Sequence, residues 1–273
     1  MKHCSSIMRV VKGLLERCVE TVEALTLAPA GTRLSDLART LDMPKAAAHR
    51  LLSELVRLGW AEQAAAGTYR LTHRLPLVTQ RVLHATGMAD LVQPVLEEVA
   101  RETRELVRAA VALPDCLVWL AHAQGAPPGL LYQPAMSDPV RPHATANGKA
   151  WLATLAPARA LEIARAGGLG SLCPTPHTLT TEAALLAELR RTQARGWAVA
   201  EQEAECGVVA VAVAVRPLQG HAIGPTVATL SVAGPLFRLP EERRAAIAAR
   251  LNAAAAQLAS AWPRAEFVQA SGT

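Results

Sequence analysis

At 273 residues, 51% of them apolar and with a mean hydropathy of +0.19, the chain suits about two domains, and Pro, Gly and polar residues break its long uncharged runs too often for a membrane span. The net charge of +5 lies wholly in residues 1–82, which hold 12 Lys and Arg against 7 Asp and Glu; a basic head on a neutral body suits polyanion binding, although a modest solvated surface gives the same total. Cysteines scattered at 4, 18, 116, 173 and 206 without a CxxC pair argue against a disulfide framework or a zinc site, and Arg9 and Lys12 interrupt any apolar leader, so the cytoplasm is the expected compartment.

Residues 1–28 read as a long helix with Val11, Leu14, Leu15, Cys18, Val22 and Leu25 on one stripe. The stripe either packs on a small head or runs past it to meet a second copy. After the breaker at 28–32, Leu34, Leu37, Ala38 and Leu41 recur at helical spacing, and Asp42-Met43-Pro44 ends that helix. A second helix turns Ala48, Leu51, Leu52, Leu55 and Val56 inward and Lys45, Ala46, His49, Arg50, Ser53 and Arg57 outward. Gly59 closes it, and Trp60, Tyr69 and Leu71 suit two short strands around an Ala-Gly turn. Residues 34–74 thus read as a winged helix-turn-helix.

Residues 75–92 read as a linker helix interrupted at Gly87, with Pro94 opening a further helix whose inner face is Val95, Leu96, Val99 and Ala100. The period then becomes strand-like in ELVRAAVAL, CLVWLAHA and LLYQPA, an expected antiparallel meander. Helices are expected over 144–155, 157–166 and 180–195, the last capped by Thr180 or Thr181, and strands at 197–199, 208–215 and 226–232. The apolar run 208–215 suits burial on both faces, and 240–262 reads as a closing helix with Ile247, Leu251 and Leu258 inside. This is an α+β chain divided as 1–74, a linker helix 75–92, and 93–273.

Several stretches in order resemble the IclR-type transcriptional regulators. Residues 15–25 resemble that family's first helix, LSDLARTLDMPKAAAHRLLSELVRLGW its DNA-reading unit and GTYRL its wing. His143-Ala144-Thr145-Ala146-Asn147-Gly148-Lys149-Ala150-Trp151-Leu152-Ala153 is similar to its "HA…GKA…LA" signature. Arg195-Gly196-Trp197-Ala198-Val199 with Glu203 and Gly207-Val208 resembles "RGYAV…E…GV", and Ser231-Val232-Ala233-Gly234-Pro235 its last strand. The resemblance implies a GAF-like C-terminal effector-binding domain, an antiparallel sheet flanked by helices, and a homodimer or dimer of dimers on an operator. Ala46 and Ala47 depart from the family's usual Ser or Thr, and Ala210 and Ala233 stand where more polar residues are common, which implies a less polar pocket.

At the DNA end, Lys45, His49 and Arg50 supply reach, Ala46 and Ala47 apolar contact, and Ser35, Thr68 and Arg70 backbone contact, while Arg50 has Glu54 at i+4 as an alternative partner. At the other end, 145–149 resembles a phosphate loop superficially, but a Walker pattern needs Gly at His143 and Ser or Thr at Ala150. By the family resemblance this turn lines the effector pocket, with the Ala146 and Asn147 amides, Gly148 and Glu203 around it and Ser231 as a side-chain donor. Trp119, Leu131, Ala210 and Val232 are candidate walls, and Lys149 reads as a helix-surface lysine or a carboxylate partner. The implied ligand is a small organic acid, aromatic acids included, with no cofactor and no metal. Two alternatives stand beside this sensor: a constitutive DNA-binding protein whose C-terminal domain only dimerises, and an enzyme built on Cys206, His143 and Glu203.

Overall fold

The computed structural model describes residues 13–28, 30–64, 66–129, 131–136, 139–219 and 222–263, and its internal contacts divide the chain into two units, 1–85 and 86–273. In the first unit, α1 (Leu14–Thr26), α2 (Leu34–Thr40) and α3 (Lys45–Arg57) pack against the strands β1 (Thr32–Arg33), β2 (Ala61–Gln63) and β3 (Thr68–Leu71), ordered β1-β3-β2 and all antiparallel. The hairpin is the expected wing. The third strand was not expected, because two residues carry no periodicity; Gly31, at φ +96, turns the chain so that Thr32 pairs with Tyr69. Leu25, Leu37, Leu52, Leu55, Ala61 and Tyr69 form one core cluster, but Val56, expected inward, is exposed. On α1 only Cys18, Val22 and Leu25 of the stripe join that core; Leu14 and Leu15 are exposed, and Val11 lies outside the described residues.

Helix α4 (Arg74–Thr86) ends at Gly87, whose left-handed φ of 61 breaks it from α5 (Met88–Thr103). The expected linker helix is therefore interrupted where glycine predicts, but Pro94 lies inside α5 instead of opening a new helix. Proline lacks the N–H that would bond one turn back, and α5 forgoes that single bond within its sixteen residues.

The second unit is organised on a five-stranded antiparallel sheet ordered β5-β4-β10-β7-β6. Its strands are β4 (Leu106–Ala112), β5 (Leu117–Gln124), β6 (Ala198–Glu201), β7 (Val208–Val215) and β10 (Ala228–Pro235), with β8 (Leu218–Gln219) and β9 (Ala222–Ile223) as a separate small hairpin. Of residues 130–135, expected as a strand, 131–135 carry no regular structure, and Leu130 lies outside the described residues. Pro134 has no N–H for a ladder, and Gln124 Nε2 instead donates to Tyr132 O at 3.0 Å.

Side-chain alternation gives the sheet two different faces. Val209, Val211, Val213 and Val215 of β7 join Leu230 and Val232 of β10 under α5 and α9 (Glu241–Ala261). The opposite face of β6 and β7 shows Ala198, Ala200, Ala210 and Ala212, and α6 (Ala146–Leu152) lies on it through Ala146 and Ala150. Thr145 caps α6 by accepting from the Gly148 N–H at 3.1 Å. A Cβ on Gly148 would sit 2.3 Å from Pro142 O, so only glycine lets the turn close this tightly. Helices α7 (Pro157–Ala166) and α8 (Glu182–Arg195) complete this side; Thr181, one of the two expected caps, accepts from Ala184 N–H, and Gly196 ends α8 at φ 82.

Because α6 is pressed between sheet and α8, Lys149 is not on a helix surface: it is 1% exposed, with Nζ 2.6 Å from Glu203 Oε1 and 3.9 Å from Glu188 Oε1. Burial pushes the Glu203 carboxyl above its usual range even though Lys149 pulls it down. Desolvation of that kind makes a buried pair specific without making it strongly stabilising. Glu203→Ala leaves Lys149 buried without its main partner and is expected to cost about 3–5 kcal/mol in urea unfolding of the full chain, whereas Lys149→Met combined with Glu203→Leu returns most of that loss. Gly148→Ala is expected to destabilise measurably in the same assay, since the clash is with backbone.

Candidate functional site

The outward face of α3 follows from its spacing. Ala48, Leu51, Leu52 and Leu55 are buried, which turns Lys45, Ala46, His49 and Arg50 outward as exposed residues and leaves Ala47 half-buried. Glu54, the alternative partner for Arg50, is taken by Arg57 at 2.7 Å, three residues along the helix. Among the described residues no carboxylate pairs with Lys45 or Arg50. Ser35 is exposed at the start of α2, Thr68 is half-buried on the wing, and Arg70 is exposed but pairs with Glu62 at 2.6 Å. Tyr69 is core. The face is a short helix start of small residues flanked by cations, a shape that enters a major groove.

In the second unit a small concavity of about 20 Å³ opens on the alanine face of the sheet. Its floor is built from β4, β6, β7 and β10. Arg108 of β4 stands opposite Ser231 and His122 in the strand register, on the side of the sheet away from the valines. It is 8% exposed, and its guanidinium carbon lies 3.9 Å from the centre of the Trp119 ring. A guanidinium over an aromatic face is attracted by the ring's electrons, which helps to keep a buried cation fixed. Around Arg108 the wall is small: Ala146, Ala200, Ala210 and Ala233, with Thr145 and Asn147 from the α6 turn. The Asn147 side chain is anchored, donating to Thr229 Oγ1 at 2.9 Å.

Two further polar residues come from loops. Tyr132 reaches over from the irregular segment 131–136, and Glu205 stands exposed at the rim on the β6–β7 turn. That turn is held by Gln202, at a left-handed φ of 56, whose side-chain oxygen accepts from Gly207 N–H at 3.0 Å. Burial raises the Tyr132 phenol above its ordinary pKa, with Arg108 pulling it down and Glu205 pushing it up.

Of the expected effector residues, the structure gathers Ala146, Asn147 and Ala210 at the concavity. Trp119 supports Arg108 from behind instead of forming wall, and Leu131 is exposed beside Tyr132. Gly148 is packed on Pro142, Glu203 is committed to Lys149, and Val232 belongs to the core on the opposite face of the sheet, so none of the three lines the concavity. Ser231 lies in the Arg108 row but beneath the surface, its Oγ buried without a hydrogen-bond partner among the described residues. Sequence reasoning missed Arg108, Tyr132 and Glu205. The signal for Arg108 was present as the single basic residue inside the strand-like run LVRAAVA.

The residues of the enzyme alternative have separate engagements. His143 is fully buried, its Nε2 3.2 Å from Leu172 O, and burial lowers its pKa; Cys206 is exposed. Among the described residues no group of three His, Cys, Asp or Glu is placed to hold a metal, and no helix is long and apolar enough to cross a membrane.

Comparison with known proteins agrees with both halves of this geometry. Residues 14–65 match the IclR helix-turn-helix domain, and residues 80–260 match the C-terminal domain of the bacterial transcriptional regulator IclR. The chain is 26% identical to the HTH-type transcriptional regulator BhcR of Paracoccus denitrificans over 89% of its own length and 85% of that protein. A solved IclR-type transcriptional regulator from Silicibacter sp. superposes with a TM-score of 0.78 at 27% identity, covering 90% of this chain and 95% of that one. An IclR homolog from Microbacterium hydrocarbonoxydans, crystallised with 4-hydroxybenzoate, superposes with a TM-score of 0.69 at 25% identity over 90% of this chain and 97% of that one. These matches are to regulators and not to enzymes, and the chain belongs to the IclR family of bacterial, helix-turn-helix DNA-binding transcriptional regulators.

Proposed function

We propose that this regulator senses a small organic acid: its head, residues 1–74, binds an operator duplex, its C-terminal domain, 93–273, takes the acid, and the connecting helix 75–92 carries the coupling between them. The observation that carries the reading is Arg108, a buried cation held on Trp119 at a concavity lined by five alanines together with Tyr132, Thr145, Asn147, Glu205 and Val208. A guanidinium is the side chain suited to a carboxylate, and the alanines suit a carbon skeleton. Ala146, Asn147 and Ala210 complete the binding surface. That a homolog of the same family was crystallised with 4-hydroxybenzoate supports an aromatic acid as one class of ligand.

On DNA, Lys45 and Arg50 anchor α3, with Ala46, Ala47 and His49 toward the bases and Ser35, Thr68 and Arg70 toward the backbone. One head covers few base pairs, so the working unit is a homodimer, or a dimer of dimers, reading half-sites ~34 Å apart in the cytoplasm. Exposed Leu14, Leu15 and Val19 on α1 offer the apolar surface for pairing. Binding of the acid favours one of two arrangements of the paired chains, and DNA affinity changes by the difference in acid affinity between them.

One observation favours a second reading. Tyr132 already covers the concavity, as it would in a C-terminal domain that only dimerises. Thermal melting of the full chain against a panel of carboxylates separates the two, since no shift with any acid supports dimerisation alone.

Two substitutions divide the labour. Arg50→Ala is expected to weaken binding to duplexes selected from a random library by about 1–3 kcal/mol while leaving acid binding unchanged, measured by fluorescence anisotropy and calorimetry. Arg108→Gln is expected to do the reverse, lowering carboxylate affinity by about 1.5–3 kcal/mol and abolishing the response of the DNA complex to acid. Loss of both activities in either folded variant contradicts the reading.

A further inference from the structure

The short strand β1 brings a cation to the wing that the helix-turn-helix pattern does not account for. Register puts Arg33 of β1 directly opposite Thr68 of β3, and directly opposed residues share one face of a sheet. The adjacent row is Thr32 and Tyr69, and Tyr69 is core, so Arg33 and Thr68 take the outer face. Arg70, two residues along β3, lies on that same face, and Ser35 is exposed two residues after Arg33, at the start of α2. One sheet face therefore carries two guanidinium groups and a hydroxyl, with a second hydroxyl following closely in the chain.

The two arginines are not equivalent. Arg70 stands opposite Glu62 and pairs with it at 2.6 Å, as Arg39 pairs with Asp36 and Arg57 with Glu54, each at 2.7 Å. Arg33 is exposed, and among the described residues no carboxylate pairs with it. A guanidinium that neutralises a phosphate releases the counterions condensed there. Arg70 can do this only by leaving Glu62, whereas Arg33 breaks no pair. The wing turn offers no substitute, because Ala64-Ala65-Ala66-Gly67 has no side chain that can donate a hydrogen bond.

Resting on the reading that the head binds a duplex through α3, we infer that Arg33 is a further anchor on the DNA backbone. Its guanidinium takes a phosphate oxygen, and the Thr68 hydroxyl beside it donates to the same group. Such a contact fixes the head on the duplex without reading bases, so Arg33 governs how firmly the head is held and α3 governs where.

Fluorescence anisotropy of the full chain on a selected duplex and on a scrambled one, each over a salt series, tests this. Arg33→Gln is expected to weaken both duplexes by the same factor, about eightfold at ~0.1 M salt, and to reduce the slope of log affinity against log salt by about 0.9. Arg33→Lys, which keeps the charge, is expected to restore most of that slope. Arg39→Gln removes the same charge from a paired position on α2 and so measures what net charge alone does. A slope change in Arg33→Gln no larger than in Arg39→Gln, a loss confined to the selected duplex, or no recovery in a folded Arg33→Lys variant each overturns the inference. If Arg50→Ala weakens the selected duplex while Arg33→Gln leaves the slope unchanged, the anchor alone fails. If Arg33→Gln behaves as expected and Arg50→Ala leaves the preference for the selected duplex intact, the anchor stands and the α3 reading fails.

Discussion

Along β7, alanine at 210, 212 and 214 alternates with valine at 209, 211, 213 and 215, so one face of the central sheet is bulky and the other nearly bare. The valine face buries α5 and α9, and that apolar contact is the main driving force for the unit. The bare face is what permits function. α6 comes down onto Ala198, Ala200 and Ala212 because nothing larger holds it off, and the space left beside it, over Ala210 and Ala233, becomes the concavity. Close approach has a cost that glycine and lysine reveal: position 148 has no room for a Cβ, and Lys149 is carried inside, where it must be neutralised by Glu203.

The same bareness explains why a single arginine dominates the site. Among the described lining residues five are alanine, and Arg108 is the one buried charge, its guanidinium carbon 3.9 Å from the centre of the Trp119 ring. Tyr132 and Glu205 arrive on loops, and loops can change what is bound without altering the sheet that carries Arg108. On the proposed sensor reading, the scaffold carries Arg108 and the loops carry the residues that vary around it.

Much of the architecture was legible in the sequence because periodicity reports burial. The helix-turn-helix spacing, the wing and the valine run of β7 all appear where the pattern places them. Burial was harder to read on α6, where Lys149 looked like a surface residue; nothing local in a seven-residue helix says that both its sides are covered. Val232 takes the valine face because strand parity decides which side a residue points to, and Glu203, expected from the family resemblance, lies just past β6 and pairs with Lys149. The segment at 130–135 looked like a strand by composition, but Pro134 removes a ladder donor, and Tyr132 within it lines the concavity. Arg108 was passed over as one charge in an apolar run, although a charge inside a buried strand is costly enough to mark the position.

At the DNA end the outcome turns on a spacing difference of one residue. Glu54 pairs with Arg57 rather than Arg50, which leaves Arg50 facing outward on the same helix as Lys45. The central claim is that this face and the Arg108 concavity share one equilibrium, and reciprocity between ligands tests it most directly. The affinity of the full chain for its tightest-binding carboxylate should be measured with and without a saturating selected duplex. The account predicts that DNA changes acid affinity by the same factor by which the acid changes DNA affinity, about 5- to 150-fold. Identical acid affinity in the presence and absence of DNA would contradict it.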